Sequence, residues 1–176
     1  MNYRISLRKT SGRDAPLLTK WFNDKSIVGQ MSTVLRCNHH TPASVKKDIQ
    51  TIGPQSERWF MVCIRGKKQP IGHGGIDDID QHDKRGEIFF LIGDKTEWGK
   101  GYGTEIVQAL VHYGFEKLKL HSLFASATIT NTSSQKVLEN AGFRKIGLRR
   151  GYNYINGKFI DEVLYDMTKK DYSTKR

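Results

Sequence analysis

Two cysteines, Cys37 and Cys63, are too few for a disulfide framework. No second CxxC or HxxxH joins Cys37, His39 and His40 to complete a tetrahedral metal set. The chain has no apolar run long enough to cross a bilayer, and no charged start followed by the apolar stretch of a secretory signal. These absences read as a cytoplasmic protein with no membrane contact and no metal. Repeats of roughly 20 to 50 residues and low-complexity tracts are also missing, which excludes solenoids and linker-joined modules. Acidic residues are scarce, 18 against 29 Lys plus Arg, so the formal charge is +11 and the surface field attracts anions.

What is present is a soluble, globular composition, 37% hydrophobic and 27% charged over 176 residues, enough for a single domain spanning 1–176. Residues 2 to 9 alternate Tyr3, Ile5 and Leu7 with polar neighbours, the period of a half-buried strand. Leu17, Leu18, Trp21 and Phe22 predict a helix over 13–24, and Thr41-Pro42 opens a second one running to about Thr51. After a turn at Gly53-Pro54, the runs 58–65, 69–79 and 86–93 are aromatic and β-branched, and predict an antiparallel meander. A helix over 104–119 follows, with Ile106, Val107, Leu110, Val111, Phe115 and Leu118 on one side, and then a strand over 123–129. A helix over 131–141, capped by Asn131 or Thr132, precedes two closing strands, 143–153 and 159–168, around Asn156-Gly157.

The sharpest local feature is Trp98-Gly99-Lys100-Gly101-Tyr102-Gly103-Thr104-Glu105, between an apolar strand and an amphipathic helix. Three glycines at alternate positions bare backbone N–H groups at a helix N-terminus, where orphan donors and the helix dipole favour phosphate. The spacing is not that of a P-loop, because Lys100 is followed by Gly101 instead of a hydroxyl residue. Nor is it the G-x-G-x-x-G dinucleotide fingerprint, since the glycines run G-x-G-x-G after the fourth strand.

This loop, together with Asn131-Thr132-Ser133-Ser134-Gln135-Lys136-Val137-Leu138-Glu139-Asn140-Ala141-Gly142-Phe143, resembles the GNAT N-acetyltransferases, nearest to their RimJ/RimL type, over about residues 2 to 170. The family's Gln/Arg-x-x-Gly-x-Gly/Ala loop is met at Gly101 and Gly103, with Trp98 at its first position. The resemblance implies an α/β (α+β) fold with a mixed, mainly antiparallel sheet of about seven strands flanked by about four helices. It implies acetyl-coenzyme A as acetyl donor: Leu91, Ile92 and Gly93 beside the pantetheine arm, and Gly99, Lys100, Gly101, Tyr102, Gly103 and Thr104 around the pyrophosphate. Asn131 would lie near the pantetheine or cap its helix, and Lys136 would meet the 3′-phosphate or stay solvated.

The same resemblance implies transfer to a primary amine, either an amino sugar nucleotide, a protein N-terminus or another small amine. The family's tyrosine acid falls at Leu138, so Ser134 is the expected hydrogen-bond donor to the leaving thiolate. Glu87 is the expected general base and His73 a proton relay at an ordinary imidazole pKa, the alternative for His73 being simple packing. A bulge in the fourth strand is expected to bare an oxyanion donor. Trp21, Trp59, Tyr152 and Tyr154 are expected as acceptor walls or as core. A polycation such as spermidine is disfavoured by the net charge of +11. The rival classes are an RNA- or ribosome-binding module, on the cluster Arg144, Lys145, Arg149 and Arg150, and a GNAT-shaped sensor that binds donor without turnover. Nucleic acid lacks a recognised motif, and a monomer or a homodimer is equally compatible.

Overall fold

A computed structural model describes residues 3–31, 33–51 and 58–174; the turn expected at Gly53-Pro54 lies outside them. The strands are β1 (Ile5–Lys9), β2 (Arg58–Ile64), β3 (Pro70–Asp80), β4 (Arg85–Ile92), β5 (Ser122–Thr128), β6 (Arg144–Ile155) and β7 (Lys158–Thr168). They form one sheet in the order β1-β2-β3-β4-β5-β7-β6, as the mixed α/β expectation requires. Between β1 and β2 lie a 3₁₀ turn at Gly12–Asp14 and four α-helices: α1 (Ala15–Phe22), α2 (Lys25–Val28), α3 (Thr33–Cys37) and α4 (Pro42–Thr51). Two were expected there. Helices of four and five residues, such as α2 and α3, are too short for periodicity to reveal. The remaining helices are α5 (Tyr102–Glu116), α6 (Thr132–Ala141) and α7 (Lys169–Thr174).

Every strand pair is antiparallel except β4 with β5, which run parallel and touch only over Arg85–Glu87 against Ser122–Phe124. Past Glu87 the two strands part, and the edge of β4 from Ile88 to Ile92 has no strand beside it there. The alternation of β4 sends Ile88, Phe90 and Ile92 toward a core under α5, built on Ile106, Leu110, Phe115 and Leu123. Leu91 faces the opposite core of Leu18, Trp21, Phe22, Val28, Val45 and Met61, under α1 and α4. The opening between β4 and β5 therefore reaches both layers.

Gly93 ends β4 against the indole of Trp21, where a Cβ would come within 2.1 Å of the ring. Gly93→Ala is expected to destabilise by about 1–3 kcal/mol by overpacking, read as a lower urea midpoint at unchanged slope. The fourth-strand bulge is not there: β3 and β4 pair without a break from Gly72↔Ile92 to Asp77↔Glu87. The irregularity falls on β3 between Asp77 and Asp80, where Asp78 takes φ of 48°.

Candidate active site

Where β4 and β5 part, two cavities meet. The first, about 1080 Å³, follows the open edge of β4 to the start of α5 and past α6. Phe90, Leu91, Ile92, Trp98, Gly99, Gly101, Gly103 and Thr104 line it, with Asn131, Ser134 and Lys136 opposite. Gly101 is the N-cap of α5 in the left-handed region (φ 84°), and no side chain caps the helix. The first N–H groups of α5 are thus left for an anion. Gly99 is also left-handed (φ 74°), with nothing within 4 Å of where a Cβ would stand. Arg4 braces the loop from below: its Nη2 donates to the Lys100 carbonyl (2.9 Å) and its backbone N–H to Glu105 (2.7 Å), while its guanidinium lies over the Tyr102 ring. These bared donors, with Lys25, Lys136 and Lys158 nearby and no carboxylate among the described lining residues, fit a diphosphate.

Among the expected donor-site residues Gly93, Lys100 and Tyr102 do not line the cavity, although Tyr102 still opens α5 with its backbone N–H. The Gly93 N–H is turned to β3 and donates to Ile71 (2.9 Å). Lys100 points away onto Glu97 (2.9 Å), and Tyr102 is buried beneath Arg4. Trp98, whose role was unassigned, does line the cleft, and its indole N–H donates to the Ile92 carbonyl (2.8 Å). Of its two expected roles, Asn131 takes that of helix cap. Its side chain accepts from the Ser134 N–H (3.2 Å), capping α6, and it stands where the two cavities join.

The second cavity, about 400 Å³, opens over the other face of the sheet. Its floor is a polar row crossing the strands: Trp59 Nε1 donates to Asp77 (2.7 Å), Asp77 pairs across from Glu87, and beyond them Ser126 Oγ (3.2 Å) and Arg149 Nη1 (3.0 Å) donate to Glu162. Burial raises the Glu87 carboxyl above its ordinary range, and the neighbouring charges of Asp78 and Glu162 add to this, against Arg149 and Ser126. Ser134 and Leu138 close the α6 side. Gln30 crosses from the segment after α2, where its side-chain oxygen accepts from Thr128 (2.8 Å) and Thr130, and it lines both cavities with Met31. The sequence does not single out Gln30, Asp77, Ser126, Asn153 or Glu162; strand alternation hints at a shared face for the last four, and nothing local does so for Gln30, which lies after α2.

His73 lies in this cavity at 1% exposure, edge-on to Phe22 and Trp59 and tilted against Phe89, at centroid distances of 6.0, 5.4 and 5.3 Å. Burial pushes its pKa down to about 3, so the ordinary imidazole titration expected of it does not occur. Of the expected aromatic walls, Trp59 lines the cavity, whereas Trp21 is 4% exposed in the core. Tyr152 and Tyr154 are each 59% exposed on β6, one under Arg149 and the other against Phe159, and they line neither cavity. In the basic cluster, Arg144 pairs with Asp171 and Arg149 with Glu162, which removes two of its four charges from a flat cationic face. Among the described residues no three His, Cys, Asp or Glu side chains converge as metal ligands, and no helix is long and apolar enough to cross a membrane.

Residues 4–144 match the profile of the Acetyltransferase (GNAT) domain. The chain is 33% identical over 176 residues to an uncharacterised N-acetyltransferase, p20, of Bacillus licheniformis, covering 97% of this chain and 96% of that protein. It is 31% identical over 87 residues to the ribosomal protein uS5-alanine N-acetyltransferase of Escherichia coli, covering 49% of this chain and 44% of that one. Its fold matches that of a spermidine N-acetyltransferase from Vibrio cholerae, solved with CoA and spermine, at a TM-score of 0.87 and 20% identity over 98% of this chain and 99% of that one. With the phosphate cradle at the start of α5 and the parting of β4 from β5, the chain belongs to the GNAT family of acetyltransferases and is an acyltransferase that takes its acetyl group from acetyl-coenzyme A.

Proposed function

We propose that the protein N-acetylates a small primary amine by direct attack within a ternary complex, donor in the larger cavity and acceptor in the smaller. The observation that carries this reading is the meeting of the two cavities at Asn131 and Ser134, with Glu87 in the acceptor wall where β4 and β5 part. Acetyl-coenzyme A supplies an acetyl group activated as a thioester.

An alkyl amine with a pKa near 10.4 is free base in only on the order of one molecule in a thousand at neutral pH, so a proton acceptor is required. Glu87 takes that proton, directly or through one water, and its raised pKa brings it nearer the working pH than an ordinary carboxylate. Backbone N–H groups on the open edge of β4 hold the carbonyl oxygen as it gains charge. The Ser134 hydroxyl, which has no hydrogen-bond partner among the described residues, donates to the leaving sulfur. As the N–C bond forms and the C–S bond breaks, the proton shed by the amine balances the one gained by the thiolate. His73, neutral and ringed by aromatics, shapes the wall. The pairing of Trp98 with Ser134, together with the similarity to the Escherichia coli enzyme, supports the RimJ/RimL type.

The test is thiol release from acetyl-coenzyme A across a panel of amines. Ser134→Ala is expected to lower kcat about tenfold with little change in KM for the donor, because its hydrogen bond strengthens only as the sulfur gains charge. An unchanged kcat discards that role. Donor uptake without thiol release from any amine favours the sensor reading.

A further inference from the structure

The two cavities carry opposite charge. Among the described residues the donor cavity is lined by Lys25, Lys136 and Lys158 and by no carboxylate. The acceptor cavity is lined by Asp48, Asp77, Glu87 and Glu162; of these Glu162 is ion-paired from beside the cavity by Arg149 (3.0 Å), and Arg36 donates to the lining Asn153 (3.2 Å). A chain with a formal charge of +11 has collected four carboxylates around a space of about 400 Å³. That arrangement bears on the acceptor, because the long-range field set by net charge is screened within about 10 Å while groups in the wall act at contact.

A second, independent feature marks the same space as a ligand seat. His40 Nε2, both ring nitrogens of His73 and Asn153 Nδ2 are buried without a hydrogen-bond partner among the described residues, and all three side chains line this cavity. Their residues are 7%, 1% and 7% exposed. Polar atoms left in this state have given up water without a replacement partner, a penalty that a bound ligand relieves. The neutral His73 imidazole presents one acceptor nitrogen, suited to an N–H donor. Phe22, Trp59 and Phe89 add ring faces and edges, which suit methylene chains and alkylammonium groups.

We propose that the acceptor is an aliphatic amine bearing at least one further positive charge, a diamine or polyamine. One nitrogen reacts beside Glu87. A second ammonium is held by Asp77 and by Asp48, which stands on α4 at the exposed rim, while Glu162 stays paired with Arg149. This inference rests on the acceptor assignment made above. It reverses the expectation from net charge that a polycation is repelled.

The experiment compares kcat/KM for 1,5-diaminopentane with that for 1-aminohexane, an isostere with methyl in place of the second ammonium. The native protein is expected to prefer the diamine by at least about tenfold. In Asp48→Asn, a change on an exposed helical surface, that ratio is expected to fall several-fold. Equal rates, or faster reaction of 1-aminohexane, an amino sugar or an alanyl peptide, overturn the inference. Should none of these amines turn over, calorimetry in the presence of coenzyme A decides: no heat on adding 1,5-diaminopentane also overturns it. Titration with acetyl-coenzyme A alone separates the two readings. Donor uptake without diamine preference sinks only the acceptor class, whereas absence of donor uptake sinks the acyl-transfer reading itself.

Discussion

Replacing Glu87 with glutamine is expected to lower kcat by about 100- to 10,000-fold, the span that a positioned general base contributes. Affinity for acetyl-coenzyme A should be retained, because Glu87 lines only the acceptor cavity. In the native protein the acidic limb of kcat/KM should lie above the ordinary carboxylate range, since burial and the charges of Asp78 and Glu162 all raise the Glu87 pKa. In Glu87→Gln that limb should vanish. Stability moves the other way. A carboxylate whose folded pKa is raised costs stability above that pKa, and costs nothing below its unfolded value, where both states are protonated. The variant should therefore melt higher than the native protein at pH 8, and the gain should fade as pH falls through the folded pKa. A retained rate with an intact acidic limb would remove Glu87 from the mechanism.

Replacing Gly99 with aspartate should cut affinity for acetyl-coenzyme A about 30-fold or more without unfolding the protein. Nothing lies within 4 Å of a Cβ at Gly99, and aspartate tolerates the left-handed backbone (φ 74°) found there. The new carboxylate would stand in the cradle at the start of α5. Two like charges about 5 Å apart at an effective dielectric of 20 repel by about 3 kcal/mol before screening, and about 2 kcal/mol is already a factor near 30. Gly99→Asn, the same shape without the charge, should stay within about threefold of the native affinity, so the pair isolates charge from bulk. The measurement is calorimetric Kd, supported by the melting shift that a ligand at 100 times Kd produces, about 2.7 kcal/mol. Equal losses in both variants would mean that shape, not charge, governs the cradle.

The loop at Gly99 to Gly103 was legible because its information is local. Alternating glycines, a strand before and an amphipathic helix after can be read within a dozen residues, and the left-handed φ of Gly99 and Gly101 agrees with that reading. Glu87 was singled out for a related reason: it lies near the start of β4, a strand whose alternation can be counted. The aromatic walls were not. Trp21, Tyr152 and Tyr154 share a composition with Trp59, yet one is core and two are on the surface, because helix packing and the shifts in β6–β7 register assign their faces. His73 illustrates the same limit. Its residue type suggests titration near neutrality, while three rings from separate elements exclude the water that titration needs.

The order of the strands along the chain, the glycine-rich loop before α5 and the family resemblance were already contained in the amino-acid sequence, since they depend on propensity, period and backbone freedom over short spans. Which carboxylates line the smaller cavity was decided only by tertiary structure. Asp77 and Glu87 face each other across the adjacent strands β3 and β4, while Glu162 comes from much later in the chain, and they meet because β3, β4, β5 and β7 stand side by side and turn the same face to the cavity. A net charge sums over the whole surface, but the field inside a pocket is set by the few groups that line it, and that selection is made by strand order and register.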